Sequence, residues 1–149
     1  MKVADLMDSR FQFVGPETPI REAQELMILR RVNYLVVSET GDRIDGLVTH
    51  ADIFRKLLPS QTEYMEKAEI RANSEAIEDR YKDFYNSEIG SIMTTKLVGV
   101  KPQTPLTQAG ALMNAKRVKQ LPVLEGDRLV GVISSRDVSA GILFQGFGY

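Results

Sequence analysis

Two short stretches, "GLVTHAD" at Gly46–Asp52 and "GVISSRD" at Gly131–Asp137, follow one pattern. Each begins with glycine, continues with two aliphatic residues and a hydroxyl residue, and reaches an aspartate three positions after the hydroxyl. A pattern that returns at a fixed distance indicates an internal repeat, and a repeat constrains the fold more strongly than any single helix or strand does.

The repeat covers most of the chain. With Met7 aligned on Met93, an offset of 86 residues, eleven positions from Val14 to Val37 are identical in the second copy. Past one extra residue near Thr40 the offset becomes 85, and five further positions from Gly41 to Asp52 agree. The pattern therefore predicts a duplication with these parts: repeat 1 over 1–58, a helical linker over 59–88, repeat 2 over 89–143 and a tail over 144–149.

Each copy begins with the same predicted elements. "FQFVGP" and "LVGVKP" are typical of short strands that end at a proline, which has no N–H to donate to a sheet. Thr18 and Thr104 are predicted to be N-caps, each followed by a proline at the first helical position. The helices that follow have apolar stripes at helical spacing, formed in the two copies by Ile20, Ala23, Met27 and Leu106, Ala109, Met113.

The second half of each copy predicts a hairpin and a helix. "YLVVS" and "QLPVL" are predicted strands, followed by glycine turns at "ETGDR" and "EGDR" and by strands ending in the quoted stretches. A helix should start near Asp52 and Asp137. The fold class is therefore α+β, built from two β-α-β-β-α repeats. Because a unit of under about 60 residues is marginal alone, we expect the repeats to pack as a pseudo-twofold sandwich with a crevice on the axis.

Composition excludes several classes of protein. The 149 residues include no cysteine and one histidine, which argues against disulfides, thiol chemistry and metal sites. The net charge of −1 gives no positive electrostatic field that would attract nucleic acid. No apolar run is long enough to cross a membrane. The start of the chain lacks the apolar core of a secretory signal, so we expect a cytoplasmic protein. No enzyme is predicted, since His50 and Asp52 would diverge at a helix start and no activated nucleophile is evident.

The linker and the tail each leave two interpretations open. Ile70, Ile77, Tyr81 and Phe84 form a helical stripe among mixed charges such as Glu69 and Arg71, which fits either a packed connector or a partner-docking helix. In the tail, the aromatic residues cover either a self-association surface or the core of their own chain. They are Phe144, Phe147 and Tyr149.

The repeated turns have capping-box spacing. The hydroxyls of Thr49 and Ser134 can accept from the N–H three residues on, and the aspartates can reach back to the N–H of the capping residue. Aspartate is shorter than the usual glutamate, so we expect a partly free carboxylate that could also bind the hydroxyls of a ribose. Beside it, a helix N-terminus suits phosphate, and the leading glycine permits close approach to the backbone. The residues leave capping alone and capping with ligand binding equally open.

In register, the two copies resemble a pair of CBS domains, named for cystathionine β-synthase, which together form a Bateman module. The resemblance rests on "TP" before the first helix of each copy, "LPV" in the second copy, and the two closing stretches. It implies a dimer-forming regulatory module that binds an adenine nucleotide, AMP, ADP or ATP, without a required cofactor. S-adenosylmethionine and NAD are the less favoured ligands, and the regulated effector protein is unknown.

The resemblance also implies roles for particular residues. Asp52 and Asp137 would hold ribose hydroxyls, with Thr49 and Ser134 beside the ribose or phosphate. The next residue in each turn, His50 or Ser135, would face phosphate across the axis. The adenine would be sandwiched by backbone and apolar groups near these residues: Val14, Gly15, Val100, Lys101, Leu121 and Pro122.

The two copies do not match the family pattern equally. The second copy has Pro122 in the middle strand, Lys101 near the crevice and Arg136 beside the helix start, where a cation can pair with phosphate. The first copy has Val36, Gly15 and Ala51 at these positions. The Asp137 site is therefore predicted to be the better occupied. Two functions remain open: a nucleotide sensor, and an oligomerisation or scaffolding module without a functional ligand.

Overall fold

A computed structural model describes residues 1–67 and 74–148 of the chain. The described residues form helices and two small sheets, which confirms an α+β fold. In chain order the elements are α1 Val3–Leu6, β1 Phe13–Val14, α2 Ile20–Arg30, β2 Tyr34–Val37, β3 Gly46–Thr49, α3 His50–Leu57, α4 Gln61–Glu66, α5 Ser74–Asn86, a 3₁₀ turn Ile89–Ser91, α6 Leu106–Lys116, β4 Gln120–Glu125, β5 Arg128–Ser134 and α7 Ser135–Phe147.

The chain forms two compact units that do not coincide with the sequence repeats. The first-repeat unit contains Phe13–Glu39 and Asp45–Thr95. The second-repeat unit contains Met1–Gln12, Thr40–Ile44 and Lys96–Tyr149. The opening segment of each repeat thus belongs to the compact unit that holds the body of the other repeat.

The first-repeat unit is built on a three-stranded sheet. β1 lies parallel to β2, and β2 pairs antiparallel with β3, with Tyr34 opposite Thr49 and Val37 opposite Gly46. One face of this sheet packs against α2, whose predicted apolar stripe is buried as expected. The core of the unit is formed by Ile20, Ala23, Met27, Leu35, Val37, Val48, Ile53 and Ile89.

The second-repeat unit is built on the β4–β5 hairpin. Glu125 pairs with Arg128 across a two-residue turn, and Gly126 has φ +61°, a conformation that glycine adopts without strain. The stripe of α6 is again buried. The core of this unit is formed by Val3, Val100, Leu106, Ala109, Met113, Leu121, Val123, Ile133 and Val138.

The strand predicted at "LVGVKP" is reduced to a single bridge. Val100 pairs in parallel with Val123, donating its N–H to the Pro122 carbonyl and accepting from the Leu124 N–H. The next N–H, that of Lys101, donates to the Thr104 hydroxyl at 3.0 Å. The backbone therefore leaves the sheet one residue after the bridge, so no strand extends here.

The predicted N-caps Thr18 and Thr104 are wrong by one residue. The capping positions are Pro19 and Pro105, neither of which has a side-chain cap, and the prolines hold φ near −59°. The N–H of the first helical residue is instead satisfied from a distant part of the chain. Ile20 donates to the Ser87 carbonyl, and Leu106 donates to the Met1 carbonyl. Because these partners are remote in sequence, a local pattern does not reveal them.

The linker packs against the first-repeat unit. Phe84 and Tyr85 of α5 lie against its core, which favours the packed-connector interpretation. Residues 68–73, which include Ile70, Glu69 and Arg71, lie outside the described residues, as does the side chain of Ile77. Among residues 1–67 and 74–148, no helix combines the length and apolar character needed to cross a bilayer.

The last helix is longer than predicted. α7 continues through Phe147, so Phe144 and Phe147 are helical residues rather than part of a separate tail. Phe147 is 75% exposed and Phe144 is 42% exposed. Tyr149, the third aromatic of the predicted tail, lies outside the described residues.

Candidate functional site

Both repeated turns form complete capping boxes. The Asp52 N–H donates to the Thr49 hydroxyl at 3.2 Å, and the Thr49 N–H donates to Asp52 Oδ2 at 2.9 Å. The corresponding bonds between Asp137 and Ser134 are 3.1 and 3.0 Å long. The expectation that aspartate reaches back poorly is wrong, because both carboxylates close the box through one oxygen. What remains for a ligand depends on the other oxygen.

The second carboxylate oxygen differs between the turns. Asp52 Oδ1 accepts a hydrogen bond from Arg55 Nη2 at 2.7 Å, which is also an ion pair. In the second repeat the residue aligned with Arg55 is Ala140, which has no charge. Asp137 uses Oδ2 for both the N–H and the hydroxyl of Ser134, and its Oδ1 has no partner among residues 1–67 and 74–148. Of the two turns, the second is therefore the one whose carboxylate keeps an oxygen without a partner in the described part of the chain.

Each helix N-terminus retains one unbonded N–H within this part of the chain. The first N–H of α3, that of His50, donates to the Asn33 carbonyl, and that of Ser135 in α7 donates to the Lys119 carbonyl, both at 2.8 Å. The third N–H is used in the capping box. The second N–H belongs to Ala51 in α3 and to Arg136 in α7. Among the described residues it has no hydrogen-bond acceptor. This N–H is the donor available to an anion.

The glycines that lead the turns serve packing within the protein. A β-carbon on Gly46 would come 2.5 Å from Met93 Sδ, and one on Gly131 would come 2.8 Å from Met7 Sδ. The sequence suggested that these glycines allow close approach to the backbone. The group that approaches is a methionine side chain of the same compact unit, so neither glycine is left open for a ligand.

The residues predicted to contact adenine are only partly gathered. Val100 lies beside Pro122, and Leu121 is 1% exposed with its side chain in the core. Leu121 can therefore offer a ligand only its backbone. Lys101 follows Val100 on the surface. In the first-repeat unit, Val14 and Gly15 are half-buried beside the parallel pair of strands.

The hairpin register places one further polar residue beside the second turn. Gln120 pairs directly with Ser134, and Pro122 lies two residues further along β4, a separation of about 7 Å. Because side chains alternate along a strand, Gln120 and Pro122 lie on the opposite face from Leu121, where Gln120 is half-buried and Pro122 is buried. Gln120 was missed in the sequence. The alternation of Leu121 and Val123 with their neighbours is the signal that could have identified it.

The second-repeat unit contains two cations among the predicted ligand-binding residues. Arg136 and Lys101 are both exposed, and neither forms an ion pair within residues 1–67 and 74–148. Ser135, also exposed, lies between Ser134 and Arg136 at the start of α7. The first repeat has Ala51 and Gly15 at the positions of these two cations, so neither has a counterpart there.

The single histidine is exposed in the first turn of α3. The His50 ring stacks on Phe54 at a centroid distance of 6.3 Å. His50 belongs to the first-repeat unit and Asp137 to the second-repeat unit, so a contribution of His50 to the Asp137 turn stays a prediction. No group of three or more histidine, aspartate or glutamate side chains in the described ranges is arranged to hold a metal ion.

A groove of about 420 Å³ lies apart from both turns, between α2 and α5 of the first-repeat unit. None of the predicted ligand-binding residues lines it. Its lining residues are Arg21, Gln24, Glu25, Ile28, Tyr81, Lys82, Tyr85 and Asn86.

The fold and the two turns define a duplicated α+β protein in which each repeat ends with a capped strand-to-helix turn. The chain belongs to the CBS domain family, which it matches twice, over residues 3–59 and 89–143. The predicted tandem CBS pair is confirmed.

Three known proteins illustrate the relationship. Inosine-5′-monophosphate dehydrogenase of Methanocaldococcus jannaschii is 28% identical over 126 residues, which are 84% of this chain and 20% of that enzyme. The chain therefore spans about a fifth of the length of this relative. The crystal structure of CBSX2 in complex with AMP has a TM-score of 0.71 and 22% identity, covering 97% of this chain and 98% of CBSX2.

A second crystal structure contains the CBS domain pair of protein MJ0100 in complex with 5′-methylthioadenosine and S-adenosyl-L-methionine. It has a TM-score of 0.70 and 20% identity, and it covers 98% of this chain and 97% of that one. The likeness to both structures shows the CBS-pair fold.

Proposed function

We propose that this chain is a regulatory module that binds an adenine nucleotide at the Ser134–Asp137 turn and acts through ligand-linked conformational change, without catalysing a reaction. The observation that carries the proposal is the state of Asp137: one carboxylate oxygen closes the capping box, and the other, Oδ1, has no partner among the described residues. AMP, ADP and ATP are the favoured ligands, ahead of S-adenosylmethionine and NAD.

The ribose would bind the carboxylate of Asp137. An ionised carboxylate has about four lone-pair sites, and two hydrogen bonds from Ser134 leave sites open on Oδ1. The 2′ and 3′ hydroxyls of a ribose can each donate a hydrogen bond, and a single carboxylate oxygen can accept both. Hydrogen bonds to a charged group contribute roughly 1.5–3 kcal/mol, enough to distinguish a ribose from a 2′-deoxyribose.

The phosphate would bind beside the start of α7. The N–H of Arg136 is the available donor at this helix N-terminus, where the helix dipole favours an anion. The Arg136 guanidinium is exposed and adds a charge-assisted donor. Ser135 would add an adjacent hydroxyl, and Lys101, which follows Val100, would lie on the side of the base.

The base would lie against the backbone near Val100 and Pro122, two residues along β4 from Gln120 and the ribose. The separation of about 7 Å between Gln120 and Pro122 along the strand suits a nucleoside held at both ends. Gln120, directly opposite Ser134, adds an amide that can hydrogen-bond a ribose hydroxyl. The AMP complex of CBSX2 and the 5′-methylthioadenosine complex of the MJ0100 pair support adenosine-containing ligands as the class to test.

Isothermal titration calorimetry tests the proposal. Wild-type protein should bind at least one of AMP, ADP, ATP, S-adenosylmethionine and NAD, and Asp137→Asn should weaken that binding by about tenfold or more. Asp127→Asn, a matched change at an exposed turn of the same hairpin, should leave it unchanged. The proposal would be contradicted if none of the five ligands gave a measurable heat of binding, or if Asp137→Asn bound the ligand as tightly as wild type.

The surface of α7 supports the second candidate function, an oligomerisation or scaffolding module, and with it the predicted homodimer. Ile142, Leu143 and Phe147 are 46%, 50% and 75% exposed, and apolar side chains clustered at one helix end favour association. Light scattering coupled to size-exclusion chromatography should then give a dimer for wild type and a smaller mass for Leu143→Glu. A monomer in both would contradict this candidate. Titration with nucleotide separates it from the sensor.

A further inference from the structure

The contact between Arg55 and Asp52 bears on how many nucleotides one chain holds. Arg55 Nη2 lies 2.7 Å from Asp52 Oδ1, and the pair occupies positions i and i+3 of α3. Side chains at this spacing share one face of a helix. The arginine side chain is 68% exposed and that of the aspartate 15%, and the guanidinium contacts Oδ1, the oxygen that the capping box does not use.

A ribose at the first turn would have to share Asp52 Oδ1 with this arginine or displace it. Asp52 Oδ2 accepts the Thr49 N–H, and Oδ1 already accepts Arg55 Nη2. Both carboxylate oxygens of Asp52 are therefore engaged before a ligand arrives. At the second turn Ala140 stands in the aligned position and Asp137 Oδ1 has no competing donor among residues 1–67 and 74–148.

Building on the proposed function, we propose that Arg55 is a specificity-determining residue that competes with ribose for Asp52. It biases the chain toward one nucleotide, held at the Asp137 turn. The contact is an exposed ion pair of a kind that contributes up to about 1 kcal/mol, which is about a fivefold change in affinity. The missing cations at Ala51 and Gly15 weaken the first turn further.

Exchanging the two residues between the repeats tests this role in the full chain, with AMP as the probe. Ala140→Arg places the guanidinium beside Asp137 and should raise the calorimetric Kd for AMP by about two- to fivefold. Ala140→Gln adds a long side chain without charge and should leave the Kd within error of wild type. Thermal unfolding of both variants verifies that they are folded.

The reverse exchange, Arg55→Ala, is made in a variant whose Asp137 site has been weakened. In an Asp137→Asn background, Arg55→Ala should tighten the residual AMP binding by about two- to fivefold, and a further Asp52→Asn should abolish that gain. The role of Arg55 is refuted if Ala140→Arg and Ala140→Gln bind AMP with equal Kd, or if Arg55→Ala does not lower the Kd for AMP. Either result leaves nucleotide binding itself intact. If wild type does not bind AMP, both the role of Arg55 and AMP as the ligand fail.

Discussion

Met93 lies directly over Gly46, with its sulfur 2.5 Å from the place where a β-carbon on that glycine would be. The same relationship joins Met7 to Gly131 in the other compact unit. Met7 and Met93 are also the residues on which the two sequence copies align. Each repeat therefore contributes a methionine that packs on the leading glycine of the turn in the other repeat.

We expect Gly46→Ala to destabilise the protein by about 1–3 kcal/mol, because the new methyl group would overlap Met93 Cβ as well as its sulfur. The free energy of unfolding in urea measures the loss. Gly146→Ala is the control, since a β-carbon there has no heavy atom within 4 Å and the change favours helix α7. An unchanged unfolding midpoint for Gly46→Ala would show that Met93 does not pack on this glycine.

Arg117 is held in a left-handed conformation that a glycine would adopt more readily. It ends α6 with φ 55°, and Arg31 ends α2 in the same way with φ 54°. Such a conformation costs a non-glycine residue about 1 kcal/mol, so Arg117→Gly should raise the free energy of unfolding by about 0.5–1 kcal/mol. Lys116→Gly, one residue earlier within the helix, should lower it by a similar amount. Equal changes in both variants would contradict this assignment.

The hydroxyl of Ser134 caps α7 and also donates to Asp137 Oδ2. Ser134→Ala should therefore cost about 1 kcal/mol of stability, the usual penalty for losing an N-cap. Ser135→Ala changes the adjacent exposed hydroxyl and should cost less. Chemical unfolding of the two variants compares them, and a larger loss in Ser135→Ala would exclude the capping role of Ser134.

A salt bridge joins α4 to α5 on either side of residues 68–73. The hydrogen bond that Arg80 donates, at 2.7 Å, lowers the pKa of Glu63 below its ordinary value. Because the folded pKa is the lower one, the contribution to stability is present above about pH 4.5 and is lost as the pH falls through the folded pKa. The contribution is small, since exposed ion pairs are weak.

Arg80→Met should therefore raise the Glu63 pKa toward the ordinary value, as followed by carboxyl NMR titration. Lys82→Met removes a neighbouring exposed cation from the same helix and should leave the titration of Glu63 nearly unchanged. If the two variants shift the Glu63 pKa equally, the hydrogen bond from Arg80 is not the cause of its low value.

Features that depend on near neighbours in sequence were predictable. The capping boxes at Thr49 and Ser134, the buried stripes of α2 and α6, and the hairpin turn at Gly126 involve residues within four positions of each other. At such spacings the backbone geometry alone decides which groups meet. The contact between Arg55 and Asp52 has the same local spacing, so the sequence contained the signal for it.

Features that depend on distant partners were not predictable. The helices begin after Pro19 and Pro105 because the Ser87 and Met1 carbonyls accept the first helical N–H, and no local pattern identifies those acceptors. The exchange of Met7 and Met93 between the two sequence repeats likewise depends on the path of the chain. The sequence by itself determined the duplication and its capped turns, since these follow from local hydrogen bonding and side-chain periodicity. Only the tertiary structure decided which segments close each unit, because long-range packing places Met93 on Gly46 and Met7 on Gly131.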